Sequence, residues 1–315
     1  MPGHKRGFGA VASFLACWLA CAAPGAIAAP PPVEGAPAEQ PEPRPALWLL
    51  ADSDTRIYLF GTFHILPPGF RWRSAAIDAV IDEADELVLE IADAELEVVT
   101  PEVIGLTMLG KTAPLAWRVS PDRRPALKAM LAESGLPAEV LDSMQTWAAA
   151  LTVAVAALIR SYGGDAEAPL SAADMEGVEI VLRREFVRTE RPISGVETGV
   201  QQLGFIAGQS FADQRRMLED MVDGRAGGDT IQDVSERDWV QGNIEGLVLN
   251  RDQIPGTLYE TLIVHRNAAW TEWLRQRLER PGTVLFAVGA GHLAGPDSVQ
   301  SMLAARGLTI RRLDR

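Results

Sequence analysis

Two histidines close apolar runs at the same spacing. His64 stands three residues after Gly61, at the end of Ile57-Tyr58-Leu59-Phe60, and His292 stands three residues after Gly289, at the end of Val284-Leu285-Phe286-Ala287-Val288. A glycine before each histidine lets the chain turn sharply and brings backbone close to whatever binds there. In α/β sheets ligands gather at the carboxyl ends of strands, which is where these histidines fall. The chain has four histidines, of which His4 lies in the leader; two of the other three share this context, which favours one shared site over two unrelated structural residues. Two carboxylates occupy comparable positions. Glu90 follows Leu87-Val88-Leu89, and Glu197 follows Ile193-Ser194-Gly195-Val196. A carboxylate at an apolar strand end is costly unless it is paired, hydrogen-bonded or bound to metal. For Glu197, the start of a helix at Thr198 offers a simpler role near a helix dipole.

Arg266 is singled out by helical periodicity. Over residues 258–278, Leu258, Tyr259, Leu262, Ile263, Ala269, Trp270, Trp273 and Leu274 form one apolar face, and at about 100° per residue Arg266 falls at its centre. A buried arginine cannot shed its charge and therefore needs an anion. Glu90, Glu197 or a substrate carboxylate would each serve. Other catalytic signatures are missing: there is no Gly-x-Ser-x-Gly, no Gly-x-x-x-x-Gly-Lys-Ser/Thr and no His-Glu-x-x-His. Gly289-x-Gly291-x-x-Ala294 imitates a dinucleotide fingerprint, but Gly295-Pro296 delays the helix and the chain ends too soon for such a domain.

The elements that must position these groups alternate between strand and helix, predicting an α/β (mixed α+β) fold with a largely parallel central sheet flanked by helices. Leu47–Leu50 and Ile57–Phe60 read as a hairpin, residues 74–86 as a helix capped by Ser74, and Leu87–Leu89 as a buried strand. Residues 102–160 read as a helical insertion. Further helices are expected from Ser171 to about Arg184, after Thr198, and over 211–225, 233–249, 258–278 and 298–306; strands are expected at 192–196, 284–288 and 308–313. The order Gly-x-x-His, Glu, Glu, Gly-x-x-His suggests an internal twofold pseudo-repeat.

Composition narrows the function classes. With 47% hydrophobic and 23% charged residues in 315, the chain is an ordinary globular one, and its net charge of −13 argues against nucleic-acid or anionic-lipid binding. Lys5 and Arg6, the apolar run from Phe8 to about Ala23, and Ala26-Ile27-Ala28 make residues 1–28 a secretory signal. Pro24 and Gly25 break the run before it could span a bilayer, so no integral membrane span is expected in the mature chain. Localisation is thus periplasmic or secreted, with lipoprotein processing at Cys21 as the minority alternative. Cys17 and Cys21 both lie in the leader, so the mature chain has no disulfide, thiolate ligand or cysteine nucleophile. Residues 29–45 form a Pro/Ala-rich, extended linker, and residues 46–315 the folded domain.

These pieces together resemble the TraB/PrgY/GumN family. The resemblance rests on Ile57–His64, Leu87–Glu90, Ile193–Thr198 with Gln202-Leu203, Arg266-Asn267 and Phe286–Gly295, in that order. The family is similar to the Tiki metalloproteases, which use two Gly-x-x-His motifs, glutamate and a divalent ion, and to the erythromycin-esterase and haem-binding ChaN-like proteins. The resemblance implies an exported metal-dependent hydrolase, more narrowly a peptidase, acting on a peptide or other small envelope substrate. His64, Glu90 and His292 would hold one divalent ion (Mn, Co or Zn), with Glu197 as general base and Arg266 binding a substrate carboxylate or developing oxyanion charge. Glu90 and Glu197 are interchangeable in these roles on spacing alone. The alternative is a non-catalytic envelope protein that uses the same pocket for a peptide signal, haem or a cell-surface saccharide.

Overall fold

The computed structural model describes residues 42–92, 100–109, 113–162, 164–165, 168–169, 174–223, 236–249, 251, 254 and 256–313. The expected signal segment, the first part of the linker, both cysteines and Ser171 lie outside them. β1 (Leu47–Ala51) and β2 (Thr55–Thr62) are buried along nearly their whole length, as their continuous apolar runs require, and they pair antiparallel as the hairpin expected from the Asp52-Ser53-Asp54 turn. Together with β3 (Glu86–Ile91), β4 (Ile193–Glu197), β5 (Gly282–Gly289) and β6 (Ile310–Arg312) they form a six-stranded sheet in the order β4-β3-β5-β2-β1-β6. The β2/β5, β3/β5 and β3/β4 pairs are parallel, and only β1 runs against the others. The predicted largely parallel α/β fold is therefore present. The two Gly-x-x-His strands are side by side, as are the two glutamate strands.

Period-two alternation of side chains divides the sheet between two cores. Tyr58, Phe60, Leu87, Leu89, Leu285 and Ala287 face α1 (Ala75–Glu83), α6 (Val178–Arg188) and Trp239. Ile57, Leu59, Val88, Val284, Phe286 and Val288 face α9 (Arg266–Arg277) and α10 (Val299–Ala305). Between β3 and α6 lies the helical insertion: α2 (Pro101–Thr107), α3 (Arg124–Glu133), α4 (Ala138–Ser143) and α5 (Thr146–Ser161). With α7 (Gly199–Ala207) and α8 (Phe211–Val222) it encloses a core of its own around Leu127, Trp147, Val153, Leu203 and Leu218. The apolar segment at 148–159 is consumed mainly in that core. Among the described residues no helix is long and apolar enough to cross a membrane.

Three elements differ from expectation. The helix expected from Ser171 begins at Val178, with Gly177 as its cap. The helix expected over 233–249 is helical only over 236–240 among the described residues; Gly242, at φ +71°, ends it, and a single 3-10 turn follows at Glu245–Leu247. The long helix over 258–278 contains a π segment, Glu260–His265, directly before α9. Its wider turn rotates the buried row of α9 to Arg266, Asn267, Trp270, Thr271, Leu274 and Arg277, leaving Ala269 exposed where regular periodicity buried it.

Candidate metal and catalytic centre

The sheet order brings Glu197, Glu90, His292 and His64 to adjacent strand ends, at the carboxyl edge of β4, β3, β5 and β2. Arg266 binds them together. Its Nη2 donates to Glu90 Oε2 at 2.6 Å and to Glu197 Oε2 at 2.9 Å, its Nε donates to Glu197 Oε1 at 2.9 Å, and its Nη1 lies 3.1 Å from His292 Nε2. Arg266 is 8% exposed, and Glu90 is equally buried. The anion that the buried arginine requires is therefore supplied twice by the protein. Gln202 Nε2 bridges the same carboxylates, at 2.8 Å from Glu90 and 2.9 Å from Glu197. Trp270 donates its indole N–H to Glu197 at 2.9 Å and carries the Arg266 guanidinium over its ring. Among the described residues Glu197 thus accepts from three side chains, whereas Glu90 Oε1 takes only the Gly289 N–H, at 2.8 Å, as a hydrogen bond.

The two histidines are oriented in the same way by different groups. His292 lies under Trp270, with ring centroids 4.5 Å apart. Asn267 donates through Nδ2 to the Asp297 carbonyl at 2.7 Å, so its Oδ1 is the acceptor for His292 Nδ1–H at 2.6 Å. That network assigns the tautomer and turns Nε2 towards Arg266. Burial, against the pull of Glu90 and with help from Arg266, pushes His292 down to about 3, so the ring is neutral. His64 donates Nδ1–H to Glu179 Oε1 at 2.7 Å. The Glu179 carboxylate raises His64 to about 9 in spite of burial, although 48% of the side chain remains exposed and solvent screens the pair. Burial would push the Glu90 carboxyl up, but Arg266, the two histidines and the Gly289 N–H overcome it and hold Glu90 well below the usual carboxylate range.

These groups converge beside Gly289. A Cβ added there would sit 3.2 Å from Glu90 Oε1, 3.5 Å from His292 Cδ2 and 3.6 Å from His64 Nε2. Only glycine leaves that cradle open. Among the described residues no group of three or more His, Cys, Asp or Glu is placed closely enough to hold a metal ion, and the Arg266 guanidinium meets His292 Nε2. The donor chemistry nevertheless suits a divalent ion: two imidazoles with Nδ1 anchored on oxygen, a carboxylate beside them, and three carboxylates in all set against one arginine. A proton on His64 makes up part of that charge deficit.

All five residues expected at the site are present in one cluster. Sequence reasoning misses Glu179. In sequence it is an ordinary acid within the helix expected from Ser171, and nothing local marks it as a partner of His64. Asn267 and Gln202 are legible only as neighbours of other motif residues. The dinucleotide-like glycines lead into a short 3-10 turn at Ala290–Leu293, and the next helix begins at Val299, as expected of a decoy. A family model described as the TraB/PrgY/gumN family matches residues 46–312. No curated protein and no solved structure matches the chain.

Proposed function

The chain belongs to the TraB/PrgY/gumN family, and we propose that it is an exported metal-dependent hydrolase acting on a peptide or other small envelope substrate. The observation that carries this reading is the cradle at Gly289, where His64 Nε2, Glu90 Oε1 and the His292 ring meet in a region of excess negative charge. His64, Glu90 and His292 are the residues that would hold the ion, with manganese, cobalt and zinc all compatible with nitrogen and oxygen donors. When bound, such an ion lowers the pKa of coordinated water to about 7 and so provides a nucleophile without serine or cysteine.

The chain's own contacts support the roles of the other residues. Glu90 is the carboxylate ligand because its Oε1 faces the cradle. Glu197 faces Arg266 and Trp270, and its part is to hold the guanidinium. Arg266 balances both carboxylates and keeps positive charge beside the cradle, where developing oxyanion charge would be stabilised. Asn267 keeps His292 correctly turned. The leader-like residues 1–28 support export.

Metal analysis and calorimetric titration with Mn²⁺, Co²⁺ and Zn²⁺ test the proposal, coupled to a peptide-library cleavage screen. The expected result is one divalent ion per chain, lost in His64→Ala and His292→Ala, with cleavage dependent on it. Metal content unchanged in both variants refutes the site. A Soret band in protein from haem-containing cells, lost in His292→Ala, would establish the binding-protein alternative.

A further inference from the structure

We propose that Glu179 is a positioning residue for this site, holding His64 so that its Nε2 is presented to the Gly289 cradle. The inference rests on the metal reading above and extends it to a residue outside every strand-end motif.

The contact is built rather than incidental. His64 Nδ1 and Glu179 Oε1 are 2.7 Å apart, and the Thr62 hydroxyl donates to the same carboxylate oxygen. The segments that carry them are joined through backbone: Glu176 N–H donates to the Leu66 carbonyl at 3.2 Å and Val178 N–H to the Phe63 carbonyl at 2.9 Å. Between these bonds the chain passes so close that a Cβ on Gly177 would lie 2.2 Å from the His64 carbonyl oxygen, which no side chain tolerates. Gly177 thus lets the start of α6 dock directly on the Gly-x-x-His loop, and Glu179, in the first turn, reaches the imidazole. The helix N-terminus favours the ionised carboxylate there.

On the opposite side of the cradle Asn267 performs the same service, with Oδ1 2.6 Å from His292 Nδ1. Each proposed imidazole ligand therefore has its Nδ1–H taken by an oxygen acceptor from a helix, which leaves Nε2 as the ligating nitrogen: that of His64 lies at the cradle, and that of His292 faces Arg266 Nη1 at 3.1 Å. This is the arrangement that fixes tautomer and ring direction in histidine ligands. The two partners differ in charge. A carboxylate makes His64 a stronger donor than the amide makes His292, so His64 is the anchoring ligand. A purely structural tie between α6 and the loop would need the backbone bonds and Gly177, but not a carboxylate aimed at Nδ1.

Titration of full-length, leader-processed protein with Mn²⁺ and Co²⁺ tests the assignment, with His64→Ala, Glu179→Ala, Glu179→Gln and Glu179→Asp in parallel. Glu179→Ala is expected to weaken both ions about 10- to 100-fold. Glu179→Gln, which keeps an oxygen at the same reach, is expected to recover most of that loss, and the Co²⁺ absorption bands should shift in the alanine variant only. Should Glu179→Ala not fold, Glu179→Asp carries the same test by withdrawing the carboxylate. Glu179→Ala binding within twofold of the parent, while His64→Ala abolishes binding, overturns the role of Glu179 and leaves the metal site standing. Equal binding in the parent and in His64→Ala overturns the metal reading, and this inference with it.

Discussion

Replacing Arg266 by Met keeps the buried aliphatic stem and removes the one charge that two carboxylates share. Glu90 would lose its 2.6 Å bond to Nη2, and Glu197 would lose its bonds to Nε and Nη2. Breaking one buried pair by removing a partner costs about 3–5 kcal/mol, since the remaining charge is stranded. Two stranded carboxylates argue for the upper part of that range. Two effects limit it: Gln202, Trp270 and the Gly289 N–H still donate to the pair, and either carboxyl can take up a proton. A loss of about 4 kcal/mol at pH 7.5 is expected, which at about 2–4 °C per kcal/mol for a chain of this size is a fall of roughly 8–16 °C in Tm. The loss should shrink at pH 5.5 as the stranded carboxyls protonate. Arg266→Met/Glu197→Gln should recover part of it, and adding Glu90→Gln most of the remainder, because each step removes one unpaired charge. Thermal and urea unfolding in EDTA measure this directly. A single variant within about 2 °C of the parent would show that water or mobile side chains already satisfy the carboxylates, and the account of a dry counter-ion network would be wrong.

In chelated protein the His64–Glu179 pair adds a pH dependence of known sign. Because Glu179 raises His64 from 6.5 to about 9, its contribution is complete below pH 6.5 and is lost as pH rises through 9; the Tm difference between pH 6 and pH 10 should narrow in Glu179→Gln, and an unchanged difference would exclude this pair as its source. Gly289→Ala places a methyl 3.2 Å from Glu90 Oε1 and 3.6 Å from His64 Nε2, so divalent-ion affinity should fall at least about tenfold while Tm changes little. Undiminished affinity in that variant would locate the ion elsewhere. Mass spectrometry of envelope material should find a mature N-terminus at Ala29, whereas an acylated Cys21 N-terminus would establish lipoprotein processing.

Local pattern determined much of this protein. Apolar runs interrupted by Gly-x-x-His or closed by glutamate are readable because a buried strand is short and apolar throughout, and a costly polar group at its end needs a reason to be there. Thr198 with Gln201 forms a capping box, and Ser74 and Ser298 cap their helices, as short-range hydrogen bonding requires. The burial of Arg266 was legible too, since an arginine at the middle of an apolar stripe goes inside with the side chains on either side of it. Its partners were not. Glu90, Glu197 and a substrate carboxylate satisfy the same charge, and only the order β4-β3-β5, set by contacts distant along the chain, puts both glutamates within one guanidinium's reach. The rotation of α9 was hidden because a π turn is a tertiary adjustment without a sequence period of its own. Glu179 was hidden for a related reason: its meaning comes from Gly177 allowing one helix to touch one loop, and that approach exists only after the sheet has brought the loop to it.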